Sequence, residues 1–224
     1  MRKSILLLIL ATTGFLSCKP DSKSTPDTVD IKILDSIKNV KSQKPLNNDK
    51  DIYTKFEYTD PKGASLIIQN SFPRGGMKYT DANSEVYNYA VFWTRIINET
   101  DNVAELEIGF PVDSYEVPSL PGKYFKVLVP SDTMTLDKAG LFNYGLKDLE
   151  SFLDNAIHKS SSLKRTINPK ESSGFYVVIL CLTEGAHGTL RTGLSLKGQN
   201  LFYRINGKEI QCGKINLRHL MLEK

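Results

Sequence analysis

The chain has 224 residues, of which 40% are apolar and 24% are charged, so it can bury a core and is not a disordered chain. Its net charge is +4, and loss of Arg2 and Lys3 with a leader lowers it to +2, which argues against nucleic-acid binding driven by charge. Three cysteines are too few for a disulfide-rich scaffold. These values predict one or two globular domains.

The N-terminus has the order of a secretory signal peptide. Residues 1–3 are basic, residues 5–11 are apolar, and a polar stretch begins directly after Cys18. The apolar run is shorter than the ~20 residues that cross a bilayer. Residues 1–17 are therefore predicted to be a signal peptide that is removed from the mature protein.

Ser17 and Cys18 resemble the lipobox of bacterial lipoprotein precursors, in the looser form typical of Bacteroidetes, with Phe15 in place of the usual Leu. The resemblance implies that Cys18 becomes the acylated first residue and that its acyl chains, such as palmitate, anchor the protein in a membrane. Lys19 after the cysteine implies sorting to the outer membrane, with the domain facing the periplasm or the cell surface. The alternative is ordinary signal cleavage with an unmodified Cys18.

Residues 18–51 are rich in Lys, Asp, Ser, Pro and Asn. Because this composition cannot offset the entropy of ordering, the segment is predicted to be a flexible tether, with a short helix over 31–40 as the alternative. Three triplets of Asp, then Ser or Thr, then an aliphatic residue or Met resemble the O-glycosylation sequon of Bacteroidetes. The residues that this resemblance implies are modified are Thr28, Ser36 and Thr133.

The rest of the chain has strand-like patterns. Residues 104–110 alternate apolar and polar side chains, and residues 86–97 form a longer run with apolar residues on both faces. The polar residues 98–102 between them predict a hairpin turn. Residues 175–182 are apolar on both faces, which is typical of a central or covered strand. Further strands are predicted over 53–58, 65–70, 124–129, 189–196, 201–205 and 210–217, with Asn206-Gly207 as a turn between the last two.

One segment breaks the β pattern. Four apolar residues from Leu146 to Ile157 recur at helical spacing, which predicts an amphipathic helix over about 146–158 that packs on a sheet. About nine strands with one inserted helix predict a mainly β protein, and specifically a β-sandwich, for a single domain over 52–224.

Two segments of the domain resemble parts of bacterial immunoglobulin-like domains. Residues 167–178 are similar to their turn-plus-strand entry, and residues 91–110 are similar to their central hairpin. The resemblance implies an immunoglobulin-like antiparallel β-sandwich, and the alternative fold is a calycin-like closed β-barrel. The whole domain also resembles a lipoprotein family of Bacteroidetes, and that resemblance implies no activity.

The sequence contains no recognisable catalytic or metal-binding pattern. His158, His187 and His219 are widely separated and lack partners at the spacing of zinc ligands. Ser195 lies in an alternating segment rather than in the strand-to-helix turn of a nucleophile elbow. We therefore expect no catalytic residue, no bound metal and no cofactor.

Cys181 and Cys212 are the two thiols that remain once Cys18 is acylated. The predicted compartment is oxidising, so these two residues are candidates for a disulfide. The alternative is two buried free thiols that pack as small apolar residues.

Two features suggest a ligand or partner face. Tyr87, Tyr89 and Trp93 share strand parity, so they form either an outward stacking platform or part of the core. Arg74 precedes two glycines, and it either presents its charge to an anion or lies in an ordinary turn.

These features predict a non-enzymatic, membrane-anchored envelope lipoprotein that is an accessory or scaffold module of an outer-membrane or cell-surface assembly. One alternative is a lipoprotein that binds a carbohydrate or small ligand, and another is a hydrolase with a site assembled from scattered residues. The expected partners are the membrane, through acylated Cys18, an envelope protein and a glycan, and no nucleic acid.

Overall fold

The computed structural model describes residues 49–60, 62–186 and 188–217. Several predictions fall outside the described residues and stay predictions. They concern the signal peptide, Cys18, Thr28, Ser36 and nearly all of the tether. None of the described helices is long and apolar enough to cross a membrane.

Twelve strands and one α-helix make up the described domain, and four short 3-10 helices lie between them. The 3-10 helices are Asp49–Asp51, Leu136–Lys138, Phe142–Gly145 and Thr183–Gly185. The α-helix is α1 (Leu149–Ala156), and the strands are β1 (Ile52–Thr59), β2 (Ser65–Ser71), β3 (Arg74–Thr80), β4 (Val86–Asn98), β5 (Ala104–Phe110), β6 (Tyr115–Glu116), β7 (Tyr124–Leu128), β8 (Ser161–Ile167), β9 (Ser172–Leu182), β10 (Thr192–Lys197), β11 (Asn200–Ile205) and β12 (Lys208–Leu217).

The strands form two antiparallel sheets. The first sheet has the order β1-β2-β4-β9-β7-β6, with β3 also paired to β4, and the second has the order β10-β11-β12-β5-β8. The predicted mainly β, antiparallel sandwich with a single helix is confirmed. The strands form two sheets rather than the one closed sheet that a calycin-like barrel requires.

Three strands were missed by the sequence prediction, namely β3, β6 and β8. In β3 only Tyr79 is buried, and β6 has two residues, so neither shows the alternation that predicts a strand. In β8 the buried residues Leu163 and Ile167 follow serines that read as a loop. These strands form because their neighbours supply partners for their backbone groups, which a local pattern does not reveal.

The strands β4 and β9 lie side by side at the centre of the first sheet, paired from Tyr87–Leu182 to Ile97–Ser172. Residues such as Phe92 and Val177 face the second sheet and form the first core. The opposite face is also buried, and it forms a second core under the chain between β7 and β8. The prediction that residues 175–182 form a covered central strand is confirmed.

The helix α1 belongs to this second core, with Leu149 and Leu153 buried on its inner side. It is shorter than the predicted 146–158, because Asp148 has a left-handed backbone (φ 49°) that does not continue a helix backwards. Leu146 still packs into the same core from the segment before the helix. The single amphipathic helix and its packing on the sheet are as predicted.

The buried side chain of Asn70 joins the two sheets along one margin. Its amide nitrogen donates to the carbonyl of Leu194 at 3.0 Å, and its amide oxygen accepts from the Leu194 N–H at 2.8 Å. The same side chain bonds the hydroxyls of Thr54 and Thr94. Asn70 thus takes the place of a neighbouring strand for β10. A Cβ at Gly193 would lie 3.1 Å from the Asn70 nitrogen, so a larger residue there would press on the Asn70 side chain.

We predict that Asn70→Ala lowers the free energy of unfolding by about 3 kcal/mol, because it leaves the buried N–H and carbonyl of Leu194 without partners. Urea denaturation followed by circular dichroism measures this change. The control is Asn216→Ala, which removes an exposed amide that bonds Glu105 and should change stability by no more than about 0.5 kcal/mol. Equal effects of the two substitutions would contradict the role given to Asn70.

Candidate functional site

A cavity of about 390 Å³ opens between the sheets at one end of the sandwich. Its floor is apolar and comes from inward-facing residues of β4, β7 and β9, among them Ala90, Phe125 and Ile179. The opposite side is formed by the chain that leads into β10 and by the turn at Asn206. The cavity exists because a connecting segment, rather than a strand of the second sheet, covers this part of the first sheet.

One wall of the cavity is the backbone at the start of β3, where Gly75 and Gly76 lie. The pairing of β3 with β4 shifts register between Gly75 and Met77, which marks a β-bulge. Gly75 has a φ of +114°, and a Cβ there would lie 3.1 Å from the carbonyl oxygen of Tyr89. A side chain would therefore be strained at this point, and the wall presents main-chain groups.

The covering segment, residues 183–186 and 188–191, is termed the strap. At one end, the hydroxyl of Thr183 donates to the carbonyl of Val86. At the other end, the Arg191 N–H donates to the side chain of Asn206 at 2.9 Å, and the Asn206 N–H donates back to the Arg191 carbonyl. The Arg191 guanidinium also lies over the rings of Tyr53 and Phe72, 5.4 and 5.7 Å from their centroids. The described strap is thus fastened to the first sheet at one end and to both sheets at the other.

Asn88 supplies a polar side chain to the cavity from β4. Its half-buried carboxamide forms no hydrogen bond with any other described residue, which leaves its donor and its acceptor open to water or to a ligand. Thr189 adds a hydroxyl from the strap. The described lining therefore combines an apolar floor with neutral hydrogen-bonding groups.

Arg74 is the one charged side chain in the described lining, and it is already paired. Its guanidinium lies 2.8 Å from an Asp51 carboxylate oxygen, donates to the Ala139 carbonyl at 3.2 Å and lies over the Tyr144 ring. The hydrogen bond to Asp51 raises the pKa of Arg74. The ion pair with Asp51 compensates the charge of Arg74 within the domain, which disfavours the interpretation of Arg74 as an anion-binding residue.

The interpretation of Tyr87, Tyr89 and Trp93 as an exposed platform is wrong. Their exposed fractions are only 2%, 7% and 1%. They lie in the second core, where Trp93 makes an edge-on contact with Tyr144 at 6.3 Å between ring centroids. The cause is the layer around α1, which covers the outer face of the first sheet.

Cys181 and Cys212 are free thiols, so the disulfide interpretation is wrong and the alternative of two buried thiols holds. Cys181 lies on β9 of the first sheet and lines the cavity, whereas Cys212 lies on β12 of the second sheet, with its thiol directed to the Leu201 carbonyl. Burial raises the pKa of Cys181 to about 11 and that of Cys212 to about 12. Both are therefore protonated at neutral pH, and a protonated thiol is a poor nucleophile.

Other residues considered from the sequence are scattered. His158 lies at the end of α1, 3.5 Å from Asp81, while His187 and His219 lie outside the described residues. Over the described ranges, no three His, Cys, Asp or Glu side chains are grouped so as to hold a metal ion. Thr133 is exposed, and its backbone forms a bridge to Phe175.

The cavity and its lining residues Asn88, Ala90 and Thr189 were not predicted from the sequence. A signal was present in β4, where the positions that face the second sheet change from the large Phe92 to the small Ala90 and the polar Asn88. Small or polar residues on an otherwise large apolar face indicate incomplete cover. Comparison with protein-family models, with curated proteins and with solved structures found no match to this chain.

We predict that neither thiol reacts readily with Ellman's reagent at pH 8 in the folded chain that begins at residue 19, because burial keeps both protonated. This chain lacks Cys18 and retains Cys181 and Cys212. In urea both thiols should react. A chain that shows no reactive thiol in urea without a reductant would contain the disulfide and contradict the structure.

The raised pKa of Cys181 also predicts a loss of stability in alkali. Above the ordinary thiol pKa of 9.0 the unfolded chain releases this proton, whereas the folded chain holds it up to about pH 11. Because the folded state then binds more protons, the free energy of unfolding falls between these pH values. Urea denaturation across this range should show a smaller decline in Cys181→Ala than in the parent, and parallel curves would contradict the prediction.

Proposed function

We propose that this protein is a non-enzymatic lipoprotein of the outer membrane or cell surface, anchored through acylated Cys18, whose domain is an accessory module of an envelope assembly. The observation that carries the proposal is the cavity beneath the strap, in which Asn88 presents a carboxamide that bonds no other described residue above an apolar floor. Pockets of this size and composition are typical of binding sites.

The chemistry of the described lining favours binding over catalysis. The thiol of Cys181 is protonated at neutral pH, and the charge of Arg74 is held by Asp51. A group that enters the cavity therefore meets apolar surface and neutral hydrogen-bonding partners. An uncharged side chain or loop of a protein partner, with one donor or acceptor for Asn88, satisfies these conditions.

A second candidate function is the binding of a carbohydrate or another small neutral ligand at the same site. The observation that favours it is the neutral polar part of the lining, where Asn88, Thr189 and the backbone of Gly75 and Gly76 lie together. Amides and main-chain groups are suitable partners for hydroxyls, and Phe125 adds an aromatic surface to the floor.

The proposal predicts that one partner is retained by the protein in mild detergent and that Ala90→Leu reduces its recovery at least about tenfold, because the larger side chain fills the cavity. Co-purification of the tagged protein from its own membranes, quantified by mass spectrometry, measures the recovery. The matched control is Ala82→Leu in the exposed turn before β4. A second control, Cys18→Ala, should lose the anchored complex.

Several outcomes separate the candidates. A partner retained equally by Ala90→Leu and Ala82→Leu would contradict the role of the cavity. Absence of any stoichiometric partner from the parent would contradict the accessory function. In that case, thermal stabilisation of the parent but not of Ala90→Leu by neutral oligosaccharides would support the second candidate function.

A further inference from the structure

Four large apolar side chains are exposed around the point where the chain enters the described domain. Tyr53 and Phe72 each have 37% of their surface exposed, Leu141 has 54% and Phe142 has 69%. Tyr53 and Phe72 lie against each other, with 5.3 Å between ring centroids. These four residues are termed the entry patch. Clustered exposed aromatic and aliphatic side chains mark interaction surfaces in soluble domains.

A set of short contacts places the segments that carry the entry patch around one junction. The Phe72 N–H donates to the Asp51 carbonyl at 3.1 Å, which joins the first described turn to the end of β2. The Tyr144 hydroxyl donates to the Phe72 carbonyl at 2.7 Å, and Arg74 donates to the Ala139 carbonyl. The segment that carries Leu141 and Phe142 is thereby held beside Phe72 and the start of β1.

Basic side chains accompany the entry patch. Arg191 lies over both Tyr53 and Phe72, and Lys50 and Lys147 are exposed on the segments that border the junction. Aromatic rings with a polar or cationic neighbour are typical of residues at the interface between a bilayer and water. Arg74 pairs with the acidic Asp51, and the exposed Asp148 next to Lys147 makes the charge around the entry patch mixed, so the apolar side chains supply the affinity for lipid.

We propose that the entry patch docks on the surface of the lipid bilayer that holds the acyl anchor. The inference rests on the proposed function, because Cys18 belongs to the 48 residues that precede the described domain and join it at Asp49–Asp51. An anchor on this part of the chain draws its point of entry toward the membrane. Tethering raises the effective concentration of lipid at the patch, so a small apolar surface is sufficient for docking.

Docking orients the domain. The cavity shares Arg74 and the neighbouring Pro73 with the junction, and its strap ends at Arg191 over the patch. A patch held at the bilayer therefore brings the cavity mouth close to the membrane surface. The partner that enters the cavity is then a group that lies near the lipid headgroups.

The test separates docking from anchoring. The chain from residue 19 onward, which contains every described residue, carries an N-terminal His-tag and is held on phosphatidylethanolamine and phosphatidylglycerol vesicles by a nickel-chelating lipid. The variant Phe142→Trp places a fluorescent side chain in the entry patch. The matched control Val103→Trp places the same side chain at an exposed apolar position in the turn between β4 and β5. Val103 follows Asn98, the last residue of β4. Asn98 lies roughly 24 Å along β4 from Val91, the residue that pairs with Arg74. Native Trp93 is buried and adds an equal background to both.

We expect brominated lipid to quench the added fluorescence of Phe142→Trp, with a blue shift of its emission, and to leave Val103→Trp unchanged. No quenching, or equal quenching of both variants, would overturn the proposal. A dimer of the free chain that Phe142→Ser dissociates in analytical ultracentrifugation would also overturn it, by showing that a second copy covers the patch. Circular dichroism verifies that each variant is folded. If Phe142→Trp fails to fold, Leu141→Trp takes its place as the fluorescent variant of the entry patch. Mass spectrometry of Cys18 in the membrane-derived protein tests the anchor separately.

Discussion

The architecture depends on the pairing of β4 with β9, because this pair is buried on both faces. A pair of strands with apolar side chains on both faces requires an apolar layer on each side. The second sheet covers one face, and the chain from Met134 to Ile157, including α1, covers the other. Asn70 then fixes the separation and register of the two sheets by satisfying the backbone of β10 with a side chain.

The need for an apolar layer on both faces of this strand pair explains why the Trp93 face is buried and why a cavity lies on the other face. Trp93 and the two tyrosines of its face are apolar enough for a binding surface, but the layer around α1 buries them. Part of the inner face of the first sheet, around Ala90, Phe125 and Ile179, is covered by the strap in place of a strand. The cavity thus follows from incomplete cover of one face rather than from a dedicated sequence motif.

The fold was largely predictable from periodicity, since burial on one or both faces of a strand leaves its mark on successive residues. The alternation in β5, the two apolar faces of β9 and the Leu149–Leu153 spacing of α1 predicted their elements correctly. The cavity was not predictable in this way, because its residues come from β3, β4, β7, β9, the strap and the turn at Asn206. Their proximity depends on strand order, and the ion pair of Arg74 with Asp51 depends on contacts between distant segments.

The bulge in β3 has a further consequence for contacts between copies of the domain. The long side of β3 that faces away from β4 is paired with no strand in the part of the chain that the structure describes. A flat open edge of this kind is a template for sheet growth from one molecule to the next. The register shift at Gly75 bends this edge, and Lys78 places a charge on it. Crowded copies of the domain are therefore protected from joining edge to edge into aggregates.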